Sequence, residues 1–368
     1  MRKSFKCRRY PTPGQTRLLE QTLEACRWLY NETLAYRPRA WEEEGRTANW
    51  YETRRCIPEL KKQRPTLAKV HSQVLQNRTE RVDLAFQAFF RRVQAGETPG
   101  DPRFRGQGRY DSFTFPQFGF RLDGDKRRLN LSKIGAVQIV LHRPVEGTIK
   151  TLTVRRVSTS KWYACFAVET ECEPREPSPP VVGVDVGLES FATLGTGEKI
   201  ENPRFFRRDE KALAKAQRRL RALEKGTPER AKRRKVVARI HERIANRRSD
   251  FAHKLARRWA RENQIVVFED LNTTGMLKNH GLAKSISDAA WNQLVHSTTY
   301  KAECAGRRVV LVNPRHTSKA CSGCGELVEK SLSVRVHQCP SCGLVLDRDH
   351  NAALNILALG LQSLGENP

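Results

Sequence analysis

The 368-residue chain has no apolar run approaching the roughly 20 residues that a membrane-spanning helix needs. Its basic start, MRKSFKCRRY, is not followed by the short apolar core of a secretion signal. Together these absences point to a cytoplasmic protein with no membrane partner. There is also no internal repeat and no low-complexity tract. Acidic residues are in deficit: 40 Asp+Glu stand against 67 Lys+Arg, a formal net charge of +27 with a pI of about 10.1. A charge of that size implies a polyanionic partner, and nucleic acid leads. The length exceeds the usual single-domain range, so two to four domains are expected.

Strand and helix signals divide the chain in two. KSFKCRRY is a short basic strand, and PTPGQTRLLEQTLEACRWLYNETLAY opens a helix with Thr12 as N-cap, Pro13 in the first turn and Gln15 completing a capping box. Leu19, Leu23, Cys26 and Tyr30 form its apolar face. A second helix is expected over 67–94 on the spacing of Val82, Phe86, Phe89 and Val93. AGETPGDPRFRGQGR is a Gly/Pro-rich basic loop in which Arg103 and Arg105 read as flexible phosphate contacts. From 112 to 170, SFTFPQFGFRL, AVQIVLHR, KTLTVRRV and WYACFAVET read as strands of a small antiparallel barrel that the first strand can join. The helical block is then an insertion in that barrel. ECEPREPSPP is a linker.

The second half opens on the buried-strand run VVGVDVG, followed by hairpin strands in FATLGTG and KIENP. Two basic helices fill 207–262, parted at KGTPER, where Gly226 ends one and Pro228 starts the next. QIVVFEDLN and RRVVLVNP are further strands, with a helix over 284–305 between them and a last helix over 349–360. Residues 207–261 hold 21 Lys+Arg against six Asp+Glu, while Val237, Ile240, Ile244, Phe251 and Leu255 keep an apolar stripe for packing. Their charged faces are either simply solvated or in contact with phosphate, and so one-sided an excess favours phosphate.

Two constellations carry chemistry. Asp185 closes the apolar run VVGV, and Glu269 closes IVVF. If these strands are parallel neighbours, both carboxylates leave the sheet at one edge, where Asp349 in the first turn of the last helix can face them. Three converging carboxylates repel one another unless cations lie between them, and hard oxygen ligands suit Mg²⁺ or Mn²⁺, as a pair of ions acting on a phosphodiester. Each acid taken alone has a plainer reading as a turn or cap residue, and Asp347 is read as the helix cap. The second constellation is C-x2-C-x14-C-x2-C, formed by Cys321, Cys324, Cys339 and Cys342. Four thiolates with no open position describe a structural Zn²⁺ site, with a redox pair as the alternative. Cys7, Cys26, Cys56, Cys165, Cys172 and Cys304 read as ordinary thiols. The ribbon is then an insertion on the loop feeding the last helix.

In order, GVDVG, FEDLN, TSKACSGCG, CPSCG and DRDHNAALNI resemble the TnpB (OrfB) family of insertion-sequence-encoded RNA-guided endonucleases, relatives of the compact type V CRISPR nucleases. YPTPGQTRLLEQTLEACRWLYNETLA, SQVLQ, PRFRG, ARIHERIANRRSDFAHKLA and LAKSISDAAWNQL extend the likeness over nearly the whole chain. The resemblance implies a multidomain α/β protein: a RuvC/RNase H-like nuclease domain (181–313 and 346–368) with an inserted zinc ribbon (314–345). Before it comes a wedge β-barrel (1–10 and 109–175) carrying a helical recognition block (11–108). It implies a guide RNA from the mobile-element end and a double-stranded target DNA, read by pairing and by a short flanking motif. It also implies a bacterial or archaeal, nucleoid-associated setting and a monomer. The family's catalytic triad falls on Asp185, Glu269 and Asp349 and its zinc ligands on the four cysteines, while Ser72, Gln76 and Thr114 stand where flanking-motif readers are expected. A second reading is a catalytically idle repressor from the same family, against which stands the presence of all three acids. A third is a guide-independent RNase H or junction resolvase, which leaves the first 170 residues without a task.

Overall fold

A computed structural model describes residues 1–171, 180–331 and 333–365. Apart from Glu171 and Pro180, the linker segment ECEPREPSPP lies outside the described residues. The chain forms two compact units, Met1–Glu171 and Cys172–Pro368. Among the described residues no helix is long and apolar enough to cross a membrane.

The first unit runs β1 (Arg2–Tyr10), α1 (Pro13–Glu44), α2 (Trp50–Arg55), α3 (Ile57–Gln63), a 3-10 turn (Pro65–Lys69) and α4 (Ser72–Gln94). It continues through β2 (Ser112–Phe115), β3 (Phe120–Asp123), β4 (Arg128–Leu131), β5 (Gly135–Val140), β6 (Thr148–Arg156) and β7 (Trp162–Glu169). All seven strands pair antiparallel in the order β2-β6-β7-β1-β5-β4-β3. The opening strand therefore sits in the middle of a sheet built mainly from residues a hundred positions later. The two edge strands are joined by a four-residue loop, and the Phe115 and Phe120 rings meet across them at 6.2 Å, which nearly closes the sheet into a barrel. Alternation along β7 turns Trp162, Ala164, Phe166 and Val168 inward. These residues share one apolar core with Leu19, Leu23, Val74 and Leu75 of the helices.

The start of α1 follows its sequence signature. The Thr12 hydroxyl accepts from the Gln15 N–H at 3.3 Å, and the Gln15 side chain accepts from the Thr12 N–H at 3.0 Å. The second helix differs from its expected span. It begins at Ser72, because Val70 and His71 are extended and residues 65–69 form a separate 3-10 turn behind Pro65. Strand β4 and the short helices α2 and α3 have patterns too brief for a periodic signal.

The second unit runs β8 (Val181–Val186), β9 (Ser190–Leu194), β10 (Lys199–Glu201), α5 (Phe205–Arg221), α6 (Pro228–Glu262), β11 (Ile265–Glu269) and α7 (Thr273–Met276). It ends with α8 (Ala283–Ala289), α9 (Trp291–Cys304), β12 (Arg308–Val312), β13 (Val336–Gln338), β14 (Val345–Asp347) and α10 (Arg348–Ser363). Five strands form a sheet in the order β10-β9-β8-β11-β12, antiparallel from β10 to β8 and parallel from β8 to β12. The helix expected over 284–305 is split at Ala290, whose φ of 53° lies in the left-handed region. Helix α5 stops at Arg221, several residues before Gly226. The apolar stripe on α6 does pack, with Ile240 and Ile244 against Leu213 and with Leu255 against the sheet core.

Each face of the sheet has its own cover. Val182, Val184, Val266 and Phe268 pack with Trp259, Trp291 and Leu294 from α6 and α9. Val181, Ile265, Val267 and Val312 pack with Ile356, Leu357 and Leu361 of α10. The approach of α10 is close enough to require glycine at two points. A Cβ on Gly183 would stand 2.1 Å from the Ala353 carbonyl oxygen and 2.7 Å from the Leu357 nitrogen, and one on Gly360 would stand 2.5 Å from Val267 Cγ2. At Gly183 the obstacle is helix backbone, which cannot turn aside. Gly183→Ala should therefore destabilise the protein by about 1–3 kcal/mol, the usual cost of overpacking. The check is the urea unfolding midpoint, and an unchanged midpoint would contradict the contact.

Candidate active site and metal centre

Strands β8 and β11 are neighbours in parallel register, Ile265 beside Val181 through Phe268 beside Val184. One more step sets Glu269 beside Asp185. Side chains alternate along a strand, so Asp185 shares a face with Val181 and Gly183, and Glu269 with Ile265 and Val267. That is the face covered by α10. The helix arrives with its N-terminus at this edge. Asp347 caps it, accepting from the Asp349 and His350 N–H groups at 3.1 Å each, and Asp349 lies in the first turn. The capping role expected of Asp347 is thus observed, and its other carboxylate oxygen accepts from Lys199 at 2.6 Å.

The electrostatics tie these acids together. Burial, then the nearby Glu269 and Asp349 carboxylates, raise the Asp185 carboxyl well above the ordinary range, with Arg348 opposing. Burial also raises Glu269, against a hydrogen bond from the Thr317 hydroxyl to its Oε1 at 2.5 Å. Arg335 stands 2.7 Å from Glu189 and 3.7 Å from Asp349, and so offsets part of the negative charge. The three carboxylates nevertheless stay farther apart than the four cysteine sulfurs, the one described group whose ligand atoms all lie within 4.8 Å of one another.

The cysteines meet as their spacing suggested. Cys321 and Cys342 Sγ are 3.6 Å apart and Cys324 and Cys339 Sγ 3.5 Å apart, an arrangement that can hold a metal ion. Hydrogen bonding, led by the Cys342 backbone amide, lowers the Cys339 thiol to about 6. Strands β13 and β14 pair antiparallel within the ribbon. Polar side chains of α10 clamp the ribbon in place. Asn351 accepts from the Ser322 N–H at 2.9 Å and donates to the Ala320 carbonyl at 2.8 Å, while Asn355 donates to the Thr317 and Ala320 carbonyls at 2.8 and 2.7 Å. Sequence reading missed Thr317, Arg335, Asn351 and Asn355. The two asparagines carried a signal: polar residues four apart on one face of an otherwise apolar helix.

The residues singled out in the first unit are not all together. Ser72 and Gln76 line one cleft of about 430 Å³ with Tyr51, Arg54, Arg55 and Lys61, and Lys61 Nζ donates to Ser72 Oγ at 3.4 Å. Thr114 does not line that cleft. It is 6% exposed, and its hydroxyl is bonded to Arg81 at 2.6 Å and Thr153 at 2.9 Å. Arg103 and Arg105 are exposed, as expected. Arg105 is not loosely held, however, because its backbone bonds Asn31 and Arg27 of α1 through contacts of 2.8–3.1 Å.

Residues 163–280 match the OrfB_IS605 family model, described as a probable transposase. Residues 291–356 match a Cas12f1-like TNB domain. Residues 1–46 match a model described as a helix-turn-helix domain, and in this chain they are β1 and α1. A relative from Streptomyces pristinaespiralis, named "Putative RNA-guided DNA endonuclease", is 39% identical over 371 residues, covering 98% of this chain and 90% of the relative. "Putative RNA-guided DNA endonuclease InsQ" of Escherichia coli K12 is 31% identical over 376 residues, covering 97% and 92%. Among solved structures, that of the mini-RNA-guided endonuclease CRISPR-Cas_phi3 aligns with a TM-score of 0.52 at 9% identity, covering 98% of this chain and 92% of that one, a likeness of fold.

A raised carboxyl favours folding only while protonated. Metal-free protein should lose stability as pH rises from the unfolded-state carboxyl value through the raised folded-state value of Asp185. Asp185→Asn, which cannot ionise, should therefore raise the melting temperature in chelator at neutral pH and leave it little changed in mild acid. A lower melting temperature at neutral pH would count against a strained carboxylate cluster.

Proposed function

The chain belongs to the TnpB (OrfB) family, and on that premise we propose that it is an RNA-guided DNA endonuclease of a mobile element, cutting beside a short flanking motif. The observation that carries the nuclease assignment is the parallel register that brings Asp185 and Glu269 to one sheet edge under the helix bearing Asp349. The near full-length similarity to relatives named as RNA-guided DNA endonucleases supports the guide and the target. The division of labour follows the same reading. A wedge barrel of residues 1–10 and 109–175 and a recognition block of 11–108 hold guide and target, and a RuvC-like domain of 181–313 and 346–368 cuts.

The donor sets fit two kinds of metal. Three carboxylates, one of them costly to ionise in place, are hard oxygen ligands suited to Mg²⁺. Bound there, such ions supply Lewis-acid stabilisation of charge at a phosphodiester. The protein's own part is to hold the ligands. The Thr317 hydroxyl fixes one oxygen of Glu269, Asp347 sets the first turn that carries Asp349, and Arg335 balances its charge. Four sulfurs around one Zn²⁺ at about 2.3 Å stand about 3.8 Å apart, close to the paired spacings here. Zinc then braces the ribbon that delivers Thr317 and Arg335 to the acidic edge. The basic faces of α5 and α6, with Lys232, Arg233, Arg234, Lys235 and Arg239 exposed, suit nucleic-acid phosphates. The cleft of Ser72, Gln76 and Lys61 is the reader of the flanking motif.

Asp185→Ala should abolish cleavage while the purified protein retains its bound RNA within a few-fold, checked by cleavage assay and by sequencing the co-purified RNA. Cleavage at the wild-type rate would overturn the assignment. Cys339→Ser should lower the zinc content measured by mass spectrometry, and an undiminished one-to-one stoichiometry would remove the four-thiolate site.

A further inference from the structure

On the face of the sheet opposite α10, at the same edge as the acids, lies a cleft of about 370 Å³ between the ends of β8, β11 and β12 and helix α9. Alternation explains its lining. Val186, Phe268 and Leu311 continue the rows that face α9, and Leu311 is 49% exposed at the mouth. Helix α9 contributes Val295 to the wall, with Asn292 and His296, one turn apart, at the rim. Glu269 also borders the cleft, so it opens directly beside the acidic edge.

Two features define what fits. In a chain with 67 Lys+Arg, no lysine or arginine lines this cleft, and Glu269 and Asp270 stand on its border. It therefore rejects phosphate. Its walls are apolar, but polar capacity is left over. The exposed Asp270 carboxylate has no hydrogen-bond or ion-pair partner among the described residues, and the buried Trp291 indole N–H is unpartnered. Asn292 donates its amide to Thr273 at 2.8 Å, which leaves its carbonyl to accept. Apolar walls with acceptors on the rim match a flat, neutral group that carries an amino edge.

Building on the nuclease reading above, we propose that this cleft seats an unstacked nucleobase of the target strand next to the phosphodiester being cut. Withdrawing one base from the stack holds the neighbouring phosphate over the acids while its own backbone stays outside the cleft. An aspartate accepts from the N4 amine of cytosine or the N6 amine of adenine, so these bases are favoured over thymine. The role is one of positioning, carried by the pocket as a whole.

The test uses the full chain with its guide RNA and target DNAs that carry one abasic site at successive positions through the cut region. One position should slow cleavage by roughly 5- to 150-fold, the range that a stacked base contributes. At that position cytosine or adenine should be cut faster than thymine. Thr299→Phe, which fills the cleft from α9, should slow cleavage of intact DNA and erase its advantage over the abasic substrate. A binding measurement keeps the outcome independent of catalysis. In Asp185→Ala complexes, 2-aminopurine at the sensitive position should change fluorescence on binding, and the change should vanish when Thr299→Phe is added. A flat abasic scan together with a 2-aminopurine signal indifferent to Thr299→Phe overturns the pocket, even where Asp185→Ala abolishes cleavage and so leaves the nuclease reading standing. If cleavage survives Asp185→Ala, the nuclease reading falls, and the fluorescence arm still decides whether the cleft takes a base.

Discussion

Helix α10 lies directly on the parallel pair β8 and β11 because glycine removes the side chains that would hold it off. At Gly183 the helix backbone occupies the place of a Cβ, and at Gly360 the strand side chain Val267 does. Gly183 and Val267, the strand residues at these two contacts, sit on the face that two residues further along each strand carries Asp185 and Glu269. The contact that seats the helix therefore also sets the height of Asp349 above the two strand acids. Without it Asp349 would have no fixed position relative to the two strand acids.

The same contact explains the raised Asp185 carboxyl. An apolar sheet face and an apolar helix close over the edge and withdraw water from Asp185, whose carboxyl is then raised by burial and by its two acidic neighbours. Thr317, Arg335 and Lys199 compensate in part, each acting on a different acid. Two of these three arrive from the ribbon segment between β12 and α10. The ribbon is in turn held by Asn351 and Asn355 of α10 and by the cysteine cluster. The cysteine cluster, which could hold a metal ion, thus stands within ten residues of the acidic edge and in the segment that supplies partners to its acids.

Much of this was legible in the residue order. The Thr12–Gln15 capping box, the four-cysteine spacing, the cap role of Asp347 and the apolar runs ending in Asp185 and Glu269 each rest on interactions within a few residues. Errors fell where local pattern is silent or misleading. Helix α4 begins at Ser72, later than its apolar spacing through Leu67 and Val70 suggests, because the backbone there is a 3-10 turn and an extended pair. The helix over 284–305 hid a break at Ala290, a residue with no sequence signal for a left-handed backbone. The partners of the Thr114 hydroxyl, Arg81 of α4 and Thr153 of β6, are likewise far from it in sequence and carry no local signal.

The sequence by itself determined the chemistry available: which residues can ligate, which segments can be strands or helices, and the surplus of positive charge. Those depend on side-chain type and short-range periodicity. Only the tertiary structure decided that β8 and β11 are parallel and in register, that their acids share the face under α10, and that the opposite face leaves a cleft without cations. Each of these is a pairing between segments tens of residues apart, set by which apolar faces pack together, and no local pattern encodes the partner.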